Sequence, residues 1–193
     1  MKPIAPTKAD TALLPPFAHL PLERIVVPAT AAEFIQATQQ ILAAPVVGFD
    51  TEAKPTFSPG EISSGPHVVQ FALPDKAFIF QLHWPDCQDG LLQILQSQQV
   101  RKVGFGLEQD RGQIRARLGV DMAALLDLNS IFRQQGYGSS MGVRAAVGVV
   151  LRQRFHKSKK TTTSNWAQPR LTPSQLLYAA NDAYAALQVF QAL

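Results

Sequence analysis

The sequence predicts an α/β domain with a mixed β-sheet flanked by helices. Three observations carry that expectation. An apolar run at 46–52 is followed by a hairpin pattern at 67–73 and 77–82. Short strand-like and helix-like stretches alternate from residue 102 onward, and the final third is helix-rich. At 193 residues, 46% hydrophobic and 17% charged, the chain suits one domain with a full core.

Each element has a local reason. Residues 1–22 are proline-rich and predict an extended arm, leaving 23–193 as the folded domain. Residues 24–27 read as a short strand. Thr30-Ala-Ala-Glu33 is a capping box, so a helix should run from there to Ala43, and Pro45 ends it. Residues 46–52 follow as a central strand. Residues 53–66, with three prolines and two glycines, form a loop. The strands at 67–73 and 77–82 are joined by the turn Pro74-Asp75-Lys76, and a helix should cover 86–97. A strand at 102–106 leads into a helix over 107–118, closed by Gly119. A short strand at 123–128 precedes helices at 130–135 and 141–151. The basic stretch 152–170 shows no period and reads as an ordered loop. Thr172-Pro-Ser-Gln175 opens the last helix with a capping threonine and a first-turn proline.

Composition narrows the function classes. No apolar run reaches transmembrane length. Lys8, Asp10 and four early prolines break any secretory pattern, so the expectation is a soluble intracellular protein, cytoplasmic if bacterial. One cysteine, Cys87, admits no internal disulfide. The net charge is +4, and between Leu128 and Asn181 there is no acidic residue, while Arg152, Arg154, Lys157, Lys159 and Lys160 cluster there. Such a stretch suits nucleic-acid phosphates, although a solvated charge run fits the same residues.

Three motifs carry chemistry. In Asp50-Thr51-Glu52 the two acids are two apart on a strand and share a face, where a hard divalent cation would offset their repulsion. A solvated strand end fits the tripeptide equally. In Tyr178-Ala-Ala-Asn-Asp182 the tyrosine and aspartate lie four apart on one helix face among alanine and leucine. An aspartate buried there needs a partner; a helix-edge aspartate beside a core tyrosine is the plainer alternative. Val103-Gly-Phe-Gly-Leu-Glu-Gln-Asp110 has Gln109 where a dinucleotide loop needs glycine. It reads instead as a tight strand-to-helix turn placing Asp110 near a helix N-terminus.

Taken together, Phe49-Asp50-Thr51-Glu52, Gly104-Phe-Gly-Leu-Glu-Gln-Asp110 and Tyr178-Ala-Ala-Asn-Asp182-Ala-Tyr184 resemble, in order and character, the three exonuclease motifs of the DEDD superfamily. Ser164-Asn165-Trp166, with Leu171-Thr172 and Gln175, is similar to the run entering the third motif in Werner-type exonuclease domains. Ribonuclease D is a more distant relative, and the resemblance covers residues 24–193. It implies a ribonuclease H-like fold with the active site at the edge of the sheet. It further implies a two-metal-ion 3′→5′ exonuclease using Mg²⁺ or Mn²⁺ and releasing 5′-mononucleotides.

By the same resemblance Asp50, Glu52 and Asp182 are direct metal ligands, Asp110 is the fourth acid acting through water, and Tyr178 positions the attacking water. Leu177 stands where the histidine branch of the superfamily has its histidine, so this is the tyrosine branch. Thr51 is expected beneath the terminal nucleotide, and Lys157, Lys159 and Lys160 against phosphates. The implied partner is nucleic acid, DNA or RNA, with a single-stranded or recessed 3′ end. The chain carries neither the C-terminal helical domains of ribonuclease D nor a helicase, so a protein partner for targeting is one expectation and independent action the other. The alternative of another class is a catalytically idle nucleic-acid-binding or scaffold domain on the same fold.

Overall fold

In the computed structural model, which describes residues 3–56, 60–61, 63–138 and 141–193, the sheet begins at β1 (Ile25–Val26). Thr30 and Glu33 form the reciprocal cap that their spacing predicts, and α1 spans Ala31–Leu42. The central strand β2 covers Val46–Glu52. β3 (Val68–Ala72) and β4 (Ala77–Gln81) make the hairpin. A 3₁₀ turn at Pro85–Cys87 precedes α2 (Gln88–Gln96). β5 (Arg101–Gly104) leads to α3 (Leu107–Leu118), which Gly119 ends at φ +71°. β6 (Leu125–Asp127) and α4 (Asn129–Gln134) follow.

Two stretches differ from the sequence expectation. The helix expected over 141–151 is α5 (Gly142–Ala146) widening into a π turn at Val147–Leu151. The widening coincides with close approach of the arm, since a Cβ on Gly148 would stand 2.6 Å from Thr11 Cγ2. Within the basic stretch expected to be a loop, Ser158 caps a single helical turn, α6 (Lys159–Thr162). Lacking apolar positions, that turn leaves no periodic signal. The last helix, α7, spans Pro173–Gln191 behind the Thr172 cap. No helix among the described residues is long and apolar enough to cross a membrane. Part of the loop expected at 53–66 lies outside the described residues.

Among the described residues the sheet has six strands in the order β1-β4-β3-β2-β5-β6. The hairpin and β2 pair antiparallel, while β1–β4, β2–β5 and β5–β6 pair parallel. Alternation along β2 sorts its side chains between two layers. Val47 and Phe49 join the core beneath α1 and α2, with Phe34, Ile41, Leu91 and Ile94. Gly48, Asp50 and Glu52 take the other face, where α7 lies. There Ala179, Ala180 and Ala183 pack on Val68, Ala72 and Ile79 of the hairpin. The fully buried Lys102 on β5 donates to the carbonyls of Ile94 (3.1 Å) and Ser97 (2.8 Å), closing the C-terminus of α2. Burial brings its ammonium down to about 8.

The N-terminal segment packs onto this frame. Phe17 and Leu20 are buried, a burial that contributes about 1.5–3 kcal/mol per side chain. Arg154 N–H donates to the Pro15 carbonyl (2.7 Å) and the Arg154 guanidinium to the Ala12 carbonyl (2.7 Å). Asn181 on α7 accepts the Leu20 N–H (2.7 Å) and donates back to the Leu20 carbonyl (3.2 Å).

The tightest approach in the frame is at Gly48, where an added Cβ would lie 1.9 Å from the Ala183 carbonyl oxygen, a backbone atom that cannot swing aside. Gly48→Ala must therefore lift α7 from β2. The expected loss is about 1–3 kcal/mol, the usual cost of overpacking a filled core, read as a lower urea midpoint at unchanged slope. An alanine variant with the parent midpoint would show that this crossing has slack.

Candidate active site

The crossing of α7 over β2 brings acids from distant sequence together. Ligand oxygens of Asp50, Glu52 and Asp182 all lie within 4.8 Å of one another. Asp50 and Glu52 retain some solvent contact at the end of β2, whereas Asp182 is buried in the Ala-rich face of α7. Asp110, in the first turns of α3, stands beside this group, and its carboxylate accepts the Thr51 hydroxyl. Thr51 N–H donates to Asp50 Oδ1 at 2.9 Å. An all-oxygen donor set of this kind fits a hard divalent cation such as Mg²⁺ or Mn²⁺. Asp182 Oδ1 is moreover buried with no protein partner among the described residues.

The basic residues separate. Lys157, its side chain 36% exposed, turns its ammonium to Asp182 Oδ2 at 2.6 Å; the Asp182 side chain is 2% exposed. The same ammonium lies 5.2 Å from the centroid of the Tyr178 ring. Lys159 and Lys160, by contrast, are exposed on α6. The Tyr178 hydroxyl meets Thr162 Oγ1 at 2.8 Å, and its ring leans on Trp166 at 5.8 Å between centroids. Trp166 is buried and donates to the Thr162 carbonyl (3.2 Å), so its indole anchors the basic stretch. Gln175 completes the anchorage by donating to Ser164 Oγ (2.9 Å) and the Asn165 carbonyl (3.2 Å).

Sequence reasoning missed several residues of this neighbourhood. Asp127, at the end of β6, accepts the N–H groups of Gly106 (3.2 Å) and Leu107 (3.2 Å) and so fixes the start of the helix bearing Asp110. Gln70 sits opposite Asp50 across the β2–β3 ladder, fully buried, with neither amide atom partnered among the described residues. Its signal was a lone amide inside the strand Val68–Ala72. The clamp by Asn181 had a similar signal, a polar residue beside Asp182 in an alanine-rich helix. The inward turn of Lys157 left no sequence signal. Cys87 is buried, its thiol pushed up to about 11 by that burial, and takes no part.

Comparison with known proteins agrees with this architecture. A family model described as 3'-5' exonuclease matches residues 25–193. Among curated proteins, the mouse bifunctional 3'-5' exonuclease/ATP-dependent helicase WRN is 30% identical over 151 residues, covering 77% of this chain and 11% of that protein. An Arabidopsis thaliana 3'-5' exonuclease is 26% identical over 152 residues, covering 76% of this chain and 52% of that protein. The chain thus matches about half of one relative's length and about a tenth of the other's. Among solved structures, the Aedes aegypti Nibbler EXO domain superposes with a TM-score of 0.76 at 22% identity, over 90% of this chain and 88% of that one. Trypanosoma brucei RNase D in complex with RNA gives 0.77 at 20% identity, over 88% and 62%. These two likenesses establish a shared fold.

Electrostatically the acid cluster is under tension. Burial, then the charges of Asp110 and Asp182, push Asp50 well above the usual carboxylate range. Burial and the neighbouring Asp50 and Asp182 do the same to Glu52. Asp110 and Asp182 are raised too, both by burial, opposed at Asp110 by the Thr51 hydroxyl and at Asp182 by Lys157. Burial alone would lower Lys157, but Asp182 and Asp50 outweigh it and hold the ammonium charged. A carboxyl with a raised folded-state pKa favours folding below its unfolded value, about 3.9 for Asp and 4.3 for Glu. That contribution is lost as pH rises through the folded value. In chelator-treated protein, Asp50→Asn, which cannot ionise, should therefore gain stability relative to the parent as pH climbs from about 4 toward neutrality. Urea midpoints across that range measure the difference; a difference independent of pH would contradict the picture of like-charge tension.

Proposed function

The chain belongs to the 3'-5' exonuclease family, and from that premise we propose that it is a divalent-metal-dependent 3′→5′ exonuclease. In this reading it hydrolyses DNA or RNA from a single-stranded or recessed 3′ end and releases 5′-mononucleotides. The observation that carries the reading is the convergence of Asp50, Glu52 and Asp182 within 4.8 Å, with Asp110 and Tyr178 at its sides. Asp50, Glu52 and Asp182 would hold two divalent cations, Mg²⁺ or Mn²⁺, with Asp110 as the fourth acid. Such cations, when bound, offset the phosphodiester charge and favour ionised water.

The protein's own groups orient the rest. Burial, with Asp182 nearby, raises Tyr178, so its hydroxyl keeps its proton and can donate to a water aimed at phosphorus. Attack by water breaks the bond to the 3′-oxygen. That oxygen takes up a proton, and the phosphate leaves on the 5′ side of the released nucleotide. Thr51 would lie beneath the terminal nucleotide. Lys159 and Lys160, exposed on α6, would hold phosphates of the incoming strand, contacts that carry no sequence information. Lys157 would join them once a cation takes its place on Asp182. Targeting within a larger protein or by a partner belongs to the same proposal, given how little of the curated relatives' length the chain matches.

A second reading, a catalytically idle nucleic-acid-binding or scaffold domain, draws on one observation, the Lys157 ammonium seated on Asp182 at 2.6 Å. Oligonucleotides of DNA and RNA, labelled at the 5′ end and incubated with Mg²⁺ or Mn²⁺, separate the two. The exonuclease reading expects a descending ladder, and Asp50→Ala should abolish it while binding persists. Binding without cleavage by the parent protein would favour the idle domain, and cleavage by Asp50→Ala at the parent rate would show the site to be misassigned.

For Tyr178, the phenylalanine variant keeps the ring against Trp166 and removes only the hydroxyl. Single-turnover rates should fall by about 10²–10⁴-fold, with metal affinity unaltered. A parent-like rate would reduce the tyrosine to a core residue.

A further inference from the structure

Between the N-terminal segment and the basic stretch lies a cavity of about 560 Å³, within the usual range for small-molecule sites, about 300–1,000 Å³. Lys8 and Thr11 line it from the segment, Arg144 from α5, and Arg154, His156 and Lys157 from the basic stretch. No acidic side chain among the described residues lines it. The ion pairs found among those residues give Lys8, Arg144 and Arg154 no acidic partner. Asp10, two residues beyond Lys8, is engaged by the Thr7 N–H (2.7 Å) and hydroxyl (2.8 Å).

The walls are held in place by the fold. The Arg154 backbone pairs with Pro15 (2.7 Å) and Phe17 (3.1 Å), and its guanidinium donates to the Ala12 carbonyl (2.7 Å), leaving its other donors to the cavity. Thr11 is buried against Gly148. Cations gathered without an acid repel one another, and a phosphate suits such a lining, since its oxygens accept from guanidinium and ammonium donors. Lys157 joins this cavity to the carboxylate cluster: its side chain lines the cavity, while its ammonium is 2.6 Å from Asp182 Oδ2. A divalent cation at Asp182 competes with that ammonium for the same carboxylate. Once displaced, Lys157 adds its charge to a cavity that already holds Lys8, Arg144 and Arg154, and the repulsion opposes metal loading. An anion in the cavity removes that repulsion and offers Lys157 a second counter-ion.

We propose that this cavity binds a phosphate group, and that the bound anion draws Lys157 from Asp182 and so promotes divalent-metal binding at the carboxylate cluster. By reciprocity the metal tightens phosphate binding by the same factor. The coupling rests on the nuclease reading above for its metal, whereas the phosphate site stands on its own residues. Two sources carry the group: the phosphodiesters of a nucleic-acid strand, and free phosphate or a terminal phosphomonoester.

Isothermal titration of Mg²⁺ into chelator-treated protein, with and without inorganic phosphate, tests it. Phosphate should tighten Mg²⁺ binding at least about fivefold, the lower end of coupling between linked sites. Phosphate titrated into the metal-free protein should bind directly. Arg144→Gln and Lys8→Gln should each weaken phosphate binding and lose the tightening; Lys8 is exposed, so its variant decides if Arg144→Gln does not fold. Lys157→Met should bind Mg²⁺ more tightly than the parent without anion, and gain nothing from phosphate. Dimethyl phosphate forms the second arm. An equal effect of the diester assigns the site to strand phosphates, and an effect of inorganic phosphate alone assigns it to free phosphate or a terminal monoester; either supports the site. A parent that binds Mg²⁺ without any phosphate effect overturns this inference alone. So does an effect that survives both Arg144→Gln and Lys8→Gln, as phosphate acting on the metal itself would give. A parent with no Mg²⁺ binding sensitive to Asp50→Ala overturns the metal reading and the coupling together, while phosphate binding lost in Lys8→Gln still upholds the phosphate site.

Discussion

The contact on which the rest of the structure depends is the seat of α7 on β2, where Gly48 lies against the Ala183 carbonyl. Neither side has atoms to spare. A glycine on the strand and alanines on the helix let two backbones meet at a distance that larger side chains forbid. That distance decides how near Asp182 comes to Asp50, because each acid is adjacent to the contact on its own element. One turn earlier on α7, Tyr178 is carried to the same end of the cluster, and the turn between them presents Asn181 to the N-terminal segment. A single steric fact therefore places an acid, a tyrosine and a segment anchor together.

The charge arrangement follows from that closeness. Four acids beside one another, largely withdrawn from water, are unstable as a set unless cations join them. In the protein alone, Lys157 is the cation, reaching Asp182 from the basic stretch. It pairs directly with one acid of the four, and the buried Asp182 Oδ1 and the Gln70 amide remain without hydrogen-bond partners among the described residues. The polar interior here is therefore only partly satisfied by the chain itself, as expected of a site that holds something in addition.

Much of the fold was legible because it is written locally. The Thr30–Glu33 and Thr172–Gln175 boxes fixed two helix starts, and the apolar run ending in Asp50-Thr51-Glu52 fixed the central strand with its own bounds. Helix α3, bracketed by Gly106 and Gly119, was legible for the same reason. The separate motifs around Asp50, Asp110 and Asp182 could be read, but their meeting could not be derived from any one of them. What stayed hidden is what depends on distant partners: the inward turn of Lys157, the cap by Asp127, the clamp of Asn181 on Leu20. The α6 turn was hidden for another reason, since it carries no apolar rhythm by which helices are read; at 147–151 the helix was expected, and only its π winding was not.

Helix α7 also bears on how the protein is made. The strands that it covers, with Val68, Ala72 and Ile79 facing it, leave the ribosome long before residues 173–191 do. Until then the nascent chain holds an apolar sheet face open to solvent and keeps Asp50 and Glu52 apart from Asp182. The site consequently matures last, and non-local assembly of this kind is slow and prone to association while it waits. A nonsense mutation ahead of residue 173 would thus create a solubility burden for quality control, with the sticky face of the sheet uncovered, rather than a merely silent domain.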